Sequence, residues 1–427
     1  MIGFLVLVCV LVLVLINVPI AVALSIASVV AMLATQGVGN LPNVPLTLYQ
    51  GATSFPLIAI PLFILAAAIM NTSGISHRLI DFCQALVGWV RGALAQVNVL
   101  SHMFFAEISG SAVAGVAATA SIIMPAMKKR GYPGPFTAAV TSSTATLAII
   151  IPPSIPMILY AVMAGTSVVQ MFVAGIVPGL LASGGFMALC YWYAIRHNWP
   201  VEQIFQWGAL WRAFKHAFWA LTLPIIILGG IFGGIVTATE GAALAVVAAL
   251  LVGGLIYREL DWKRLRDAVI DGAVQTGTVM LLVAASALLG LYLTEVQLPQ
   301  RIAAAMLSVT NEKWAILAIL NVFFLIIGMF LHSAAAIVLV VPIVMPAVTA
   351  AGIDPVHFGL IVTLNLAIGQ QTPPVASVLL LTCSIAKESV WDVSKANIPF
   401  IGVLLAVLLL ITYVPVVTLG LVDFFYR

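Results

Sequence analysis

The sequence predicts an all-α polytopic membrane protein built from two inverted repeats. Each repeat holds a re-entrant hairpin and a proline-broken helix, and scaffold helices surround the pair. Three observations predict this. Hydrophobic residues make up 63 % of the 427 residues and charged residues 7 %, against roughly a quarter charged in a soluble domain. Two apolar stretches are interrupted at half length by small or polar residues. Three landmarks recur at one fixed offset.

A helix needs about 20 apolar residues to cross a bilayer. Full spans are expected near 2–33, 55–72, 171–196, 217–236, 240–257, 272–294 and 397–424. The first has no basic region before it and no cleavage site, so it reads as a retained span. Spans near 136–165 and 356–386 carry Pro152-Pro153 and Pro373-Pro374 midway. The stretches 95–127 and 314–350 break at Ser109-Gly110-Ser111 and at His332-Ser333, leaving halves of about 15 residues, short for a crossing. A polar break at that depth persists only where protein or a water-filled cavity shields the backbone. Both stretches therefore read as re-entrant helical hairpins.

Pro125 and Pro346, Gly131 and Gly352, and Pro152 and Pro373 are each separated by 221 residues. The units 55–165 and 276–386 are thus two copies of one plan. The chain divides into an N-terminal scaffold span and external loop (1–54), a first repeat (55–165), scaffold spans with an interfacial segment (166–271), a second repeat (272–386) and a C-terminal span (387–427). Charge decides their sense. Lys128-Lys129-Arg130 follows the first hairpin, and Thr349-Ala350-Ala351 stands at the matching place after the second. Cytoplasmic loops carry the Lys/Arg excess, so the hairpins enter from opposite sides, with the N-terminus cytoplasmic and the C-terminus external. Arg78, Arg91, Arg196–Lys215, Arg258–Arg266 and Lys387 fit this sense; Arg301 and Lys313 are exceptions, beside Glu295 and Glu312. Val201–Trp219 mixes three tryptophans with bases and reads as an interfacial helix, an aromatic anchor or a docking surface for a membrane partner.

Other classes are poorly served. The net charge of +3 is scattered, which gives no footprint for nucleic acid. The four cysteines sit far apart in apolar runs and read as small buried hydrophobes. There is no spacing for a metal centre, an intramembrane protease or a bound cofactor.

Inverted repeats with helices broken at mid-membrane point to a secondary transporter's binding site. A helix that stops inside the bilayer leaves N–H groups free at one end and C=O groups at the other. The first suits a carboxylate and the second, with hydroxyls, suits Na⁺. Expected ion-binding residues are Ser109, Gly110, Ser111, Ser143, Thr144 and Thr146 in the first repeat, and Ser333, Asn365, Gly369 and Thr372 in the second. Thr144 and Asn365 are repeat-equivalent. Expected substrate contacts are Ser111, Ser154, His332, Ser333, Gln371 and Glu107. Glu107 and His332, both ionisable near hairpin tips, would either pair or meet the substrate.

The runs Ser109–Ala114 (SGSAVA), Pro125–Tyr132 (PAMKKRGY), Pro152–Ile158 (PPSIPMI), Thr237–Ala243 (TATEGAA), Asp354–Gly359 (DPVHFG) and Asn365–Pro374 (NLAIGQQTPP) together resemble the large membrane subunit of tripartite ATP-independent periplasmic (TRAP) transporters, the DctM-like family. The resemblance covers nearly the whole chain. It implies an ion-transporter-like elevator fold and Na⁺-coupled import of an organic anion across the bacterial inner membrane by an elevator motion. It also implies two partners, a small membrane subunit and a periplasmic substrate-binding protein. The chain departs from the family pattern at Gly115, where an acidic residue is usual, at His332, at Ala148-Ile149 and at Glu107. A self-sufficient Na⁺/anion symporter or an anion exporter with the same inverted hairpins is the alternative.

Overall fold

The computed structural model describes residues 2–16, 18–199, 201, 204–310 and 312–426. Asn17, in the expected first span, and Glu202 and Gln203, in the expected interfacial segment, lie outside the described residues. All the regular elements among the described residues are helical.

The chain opens with α1 (Ile2–Leu15) and α2 (Ile20–Gln36). The single span expected over 2–33 is therefore two helices. Pro19 stands before α2; it has no N–H and drives its neighbour out of helical geometry. The uncharged loop expected over 36–53 contains α3 (Asn43–Ala52). Then come α4 (Ala59–Thr72), α5 (Ile75–Val87), α6 (Ala93–Ser109), α7 (Ala112–Lys129), α8 (Gly134–Ala145), α9 (Ile155–Ala164) and α10 (Val168–Arg196). The second half runs α11 (Trp207–Phe232), α12 (Ala238–Leu250), α13 (Trp262–Glu295), α14 (Leu298–Val309), α15 (Lys313–Phe330), α16 (Ser333–Ala350), α17 (Pro355–Gly369), α18 (Ser377–Ala386), α19 (Val390–Tyr413) and α20 (Val416–Tyr426). Two further expectations change. The interfacial helix is not separate: Trp207, Trp211 and Trp219 lie on α11, which runs unbroken into the membrane span. The last span divides at Pro415 into α19 and α20.

The two hairpins are α6–α7 and α15–α16, and their breaks fall at Gly110-Ser111 and Leu331-His332. The offset of 221 maps α7 onto α16 at both ends. It also extends past the expected unit. Shifted by the same amount, α10 falls on α19, and α2 falls on α12 with its π-helical continuation Leu251–Ile256.

The inverted sense follows from the broken helices. α8 and α9 do not fold back side by side, so the pair crosses. At the start of α8 a Cβ on Gly134 would fall on the Glu388 carboxylate. Glu388 in turn binds Lys128 at the base of hairpin one, 2.6 Å away. Along α9, Tyr160 reaches Met345 and the Pro355 carbonyl at the base of hairpin two. The two hairpin bases thus sit at opposite ends of one crossing. The repeats also exchange partners reciprocally: α7 packs on α18, and α16 packs on α9. Such reciprocity is what a two-fold axis produces.

Cys83, Cys190 and Cys383 are buried as expected, whereas Cys9 is exposed on α1. None is paired.

Candidate functional site

Hairpin one turns on Gly110, at φ +57°, a region that glycine enters without a Cβ penalty. A second constraint fixes the same residue. A Cβ there would lie 2.7 Å from the Pro153 carbonyl and 3.2 Å from the Ile155 nitrogen. Ile155 N donates to Gly110 O at 3.3 Å. The tip is therefore docked on the break between α8 and α9, where Pro152-Pro153 is cis. Ser111 caps α7 by accepting from Ala114 N, and Ser154 stands at the start of α9, donating to Ile149 O. Two helix N-termini, with their free N–H groups, converge on this tip.

Hairpin two docks on its own broken helix by different means. Gly328 of α15 meets Gly369 of α17 so closely that a Cβ on Gly369 would be 2.3 Å from the Gly328 carbonyl carbon. Val375 N donates to Met329 O at 3.2 Å. His332 is the N-cap of α16, its Nδ1 accepting from Ala334 N. Pro373-Pro374 is also cis but exposed, whereas Pro152-Pro153 is buried.

The repeat-equivalent pair Thr144 and Asn365 does the same work twice. Thr144 Oγ1 donates to Val140 O at 2.7 Å, and Asn365 Nδ2 donates to Ile361 O at 2.8 Å. Both acceptors are four residues back. Each side chain also reaches the first helix of its hairpin. Thr144 meets His102 and Asn98 on α6, and Asn365 meets Asn321 on α15 at 2.6 Å. Asn98 binds Thr141, His102 binds Thr119, and Asn321 binds Thr412. A lone hydroxyl on a membrane helix usually bonds back to its own turn; here that bond is made and a cross-helix contact is added.

Ser143, one residue before Thr144, faces elsewhere, because successive helix positions are about 100° apart. Its hydroxyl lies 2.6 Å from Gln371 Oε1 and 2.5 Å from Asn397 Oδ1. Gln371 Nε2 donates to Thr146 Oγ1 at 2.8 Å, and Asn397 Nδ2 donates to Gln371 Oε1. This buried knot joins the two broken helices across the repeats. The positions matching Ser143, Thr146, Gln371 and Asn397 in the other repeat are Leu364, Ala367, Ile150 and Ile176, so the symmetry of the fold does not require it.

Of the residues expected at the site, Ser143, Thr146 and Gln371 come together, while Thr144 and Asn365 each join a separate cluster. Ser109, Gly110, Ser111 and Ser154 meet at the first tip. Ser333 is buried at the second. Thr372 bonds back to Ile368 O. The pairing offered for Glu107 and His332 is not made. His332 is exposed and spent on its own cap, and half-buried Glu107 has no hydrogen bond or ion pair among the described residues. Uncoupled residues contribute additively. The uptake lost in a Glu107→Gln, His332→Ala double variant is therefore expected to equal the product of the two single losses; a double variant no worse than either single one would show that they act as a pair.

Asn98, His102, Thr119, Asn321 and Asn397 were not anticipated. The available signal was a polar residue inside an otherwise apolar helix, which is costly at that depth and marks function. Gln370, one of the polar residues that the sequence places before Pro373-Pro374, is buried, and both its side-chain amide atoms lack a partner among the described residues. Ser142 Oγ and Asn365 Oδ1 are likewise buried and unpartnered. All three lie on or at the end of α8 and α17. Among the described residues no group of three or more His, Cys, Asp or Glu could hold a metal ion.

Two hairpins, each docked on a broken membrane helix and related by a two-fold, define the class: a multi-pass permease of the inverted-repeat type. The family model for the tripartite ATP-independent periplasmic transporter, DctM component, matches residues 7–417, and the chain belongs to that family, a multi-pass protein of the inner membrane. It is 41 % identical over 392 residues to the isethionate TRAP transporter permease protein DctMQ of Oleidesulfovibrio alaskensis, covering 91 % of this chain and 62 % of that one. It thus spans less than two thirds of that relative. It is 38 % identical to the C4-dicarboxylate TRAP transporter large permease protein DctM of Vibrio cholerae, covering 91 % and 90 %. It is 37 % identical to the 2,3-diketo-L-gulonate TRAP transporter large permease protein YiaN of Escherichia coli, covering 86 % and 87 %. The YdaH transporter of Alcanivorax borkumensis shares the fold, with a TM-score of 0.65 over 90 % of this chain and 89 % of that one at 16 % identity.

Proposed function

We propose that this chain is the translocating subunit of a Na⁺-coupled importer of an organic anion. The observation that carries the reading is the repeat-equivalent tethering of each broken helix to its hairpin by Thr144 and Asn365, with a buried, unpartnered carbonyl left on Asn365. A buried acceptor without a donor is uncommon; a cation would satisfy it. The converging N-termini of α7 and α9 offer N–H groups to a carboxylate or a similar anion. Three of the relatives are named for organic anions. The two-fold architecture supports alternating access by movement of the hairpins and broken helices against the surrounding helices. In that reading Lys128 and Glu388 face the cytoplasm, as does the N-terminus, and the C-terminus is periplasmic.

The partners are a small membrane subunit and a periplasmic binding protein; the first relative's name, DctMQ, is that of a permease in the same family. The deciding experiment is uptake into proteoliposomes holding this chain with both partners, using succinate and isethionate as probes. Uptake is expected to require external Na⁺ and to cease without the binding protein. Equal uptake with choline in place of Na⁺ would overturn the coupling, and uptake by this chain alone would favour a self-sufficient symporter.

A further inference from the structure

The second repeat does not close on itself as the first does. In the first, α5 packs on α6, with the rings of Phe82 and Phe104 6.2 Å apart, and α6 packs along α7. In the second, α14 packs on α16 instead, and α15 turns away onto α17. The helices of hairpin two are splayed, and a cavity of about 440 Å³ fills the gap between α1, α14, α15 and α16. That volume falls in the range of roughly 300–1,000 Å³ typical of ligand pockets.

The lining is apolar throughout, with Leu7, Val10, Ile302, Ile319, Leu320 and Ile343 among its residues. Water needs two or more polar partners in a cavity, and this one offers none. An apolar surface facing a void loses its dispersion contacts, so the site favours an apolar occupant. The rim opens outward, since Phe4, Val8 and Leu11 of α1 and Phe323 of α15 line the cavity and are exposed. It extends along about 15 Å of α1, from Phe4 to Val14.

A base next to the lining narrows the occupant. Arg301 precedes the lining residue Ile302 on α14 and is exposed. Its guanidinium makes no hydrogen bond or ion pair among the described residues. Lys313, the other base that departs from the charge pattern, is spent on the Gly352 carbonyl at 2.9 Å. An arginine at a helix end snorkels to the headgroup layer, where phosphate oxygens match its planar fork.

We propose that this cavity holds one acyl chain of a membrane phospholipid whose phosphate is bound by Arg301. The tail takes the place that direct packing of α5 on α6 has in the first repeat and holds the arms of hairpin two apart.

The test is native mass spectrometry of the purified chain, delipidated and returned to nanodiscs of phosphatidylethanolamine and phosphatidylglycerol. The wild-type chain is expected to retain one phospholipid on release. Ile319→Trp fills the cavity from a position 44 % exposed and is expected to reduce retention about tenfold. Arg301→Gln is expected to weaken it severalfold. A phospholipid with a diazirine at its tail, photolysed on the wild-type chain, should label α1, α15 and α16. That arm needs no variant to fold. No retained lipid, retention unchanged in both variants, or tail labels confined to other helices would each overturn the proposal. So would loss of the α1 and α15 labels on assembly with the small membrane subunit, which would make a partner helix the occupant.

Discussion

Gly110→Val is expected to abolish transport while leaving the protein inserted in the membrane. Two independent costs meet at this residue. The backbone is at φ +57°, where a non-glycine residue costs roughly 1–2 kcal/mol and a β-branched one more. The new Cβ would also press on the Pro153 carbonyl at 2.7 Å, and a backbone atom cannot swing aside as a side chain can. Together these exceed about 3 kcal/mol, enough to reduce a docked tip by roughly a hundredfold. Undocking would separate the N-termini of α7 and α9, which the proposed anion site needs together. Gly165→Val is the control: its φ is +64°, but nothing lies within 4 Å of the position a Cβ would take, so only the backbone cost applies. Initial uptake rate, normalised to membrane-inserted protein, is the measurement. A Gly110→Val protein that transports at the rate of the Gly165→Val control would show that tip docking is irrelevant to function.

Asn365→Leu is expected to raise the Na⁺ concentration for half-maximal uptake by roughly tenfold or more. The substitution keeps the branched shape of the side chain and removes three things. Two are the hydrogen bonds to Asn321 Oδ1 and Ile361 O; the third is the buried carbonyl that has no donor. A hydrogen-bonding group facing a charge contributes about 1.5–3 kcal/mol, and the lower end of that range already gives about tenfold. Thr412→Val separates the contributions. It takes away the acceptor of Asn321 Nδ2 and leaves the Asn365 carbonyl in place. Its Na⁺ dependence should therefore stay within about twofold of wild type. If Asn365→Leu keeps the wild-type Na⁺ dependence, the second repeat has no ion site at this residue. If Thr412→Val shifts as far as Asn365→Leu, the effect belongs to the polar chain and not to the carbonyl.

Much of the architecture was legible from the chain alone. The hairpins were found because half-length apolar runs with Gly/Ser breaks have no other stable place in a bilayer. The Pro-Pro breaks were found because proline interrupts the backbone ladder wherever it falls. Errors in the fold were local and had local causes. Pro19 and Pro415 cut spans that hydropathy alone had joined, and the first turns of α11 continued a helix that composition had divided from its membrane span. The site was less legible. Ser143 and Thr144 looked alike in sequence, yet one joins Gln371, 228 residues away, and the other joins His102. Nothing in the order of residues separates them, because the distinction is a rotation of about 100° on one helix and the identity of the neighbour on that face.

The sequence by itself settled that lipid is this protein's solvent, that two polar-tipped loops enter it, and that one plan is used twice. Each of these rests on how a short stretch of chain partitions and whether its backbone can continue, and both are properties of neighbouring residues. Only the tertiary structure decided that Glu107 and His332 stay apart, that Gln371 and Asn397 clasp the two halves, and that hairpin two stands open over an apolar gap. Those outcomes depend on which helix faces meet across hundreds of residues, and helix packing selects among them without leaving a mark on the local sequence.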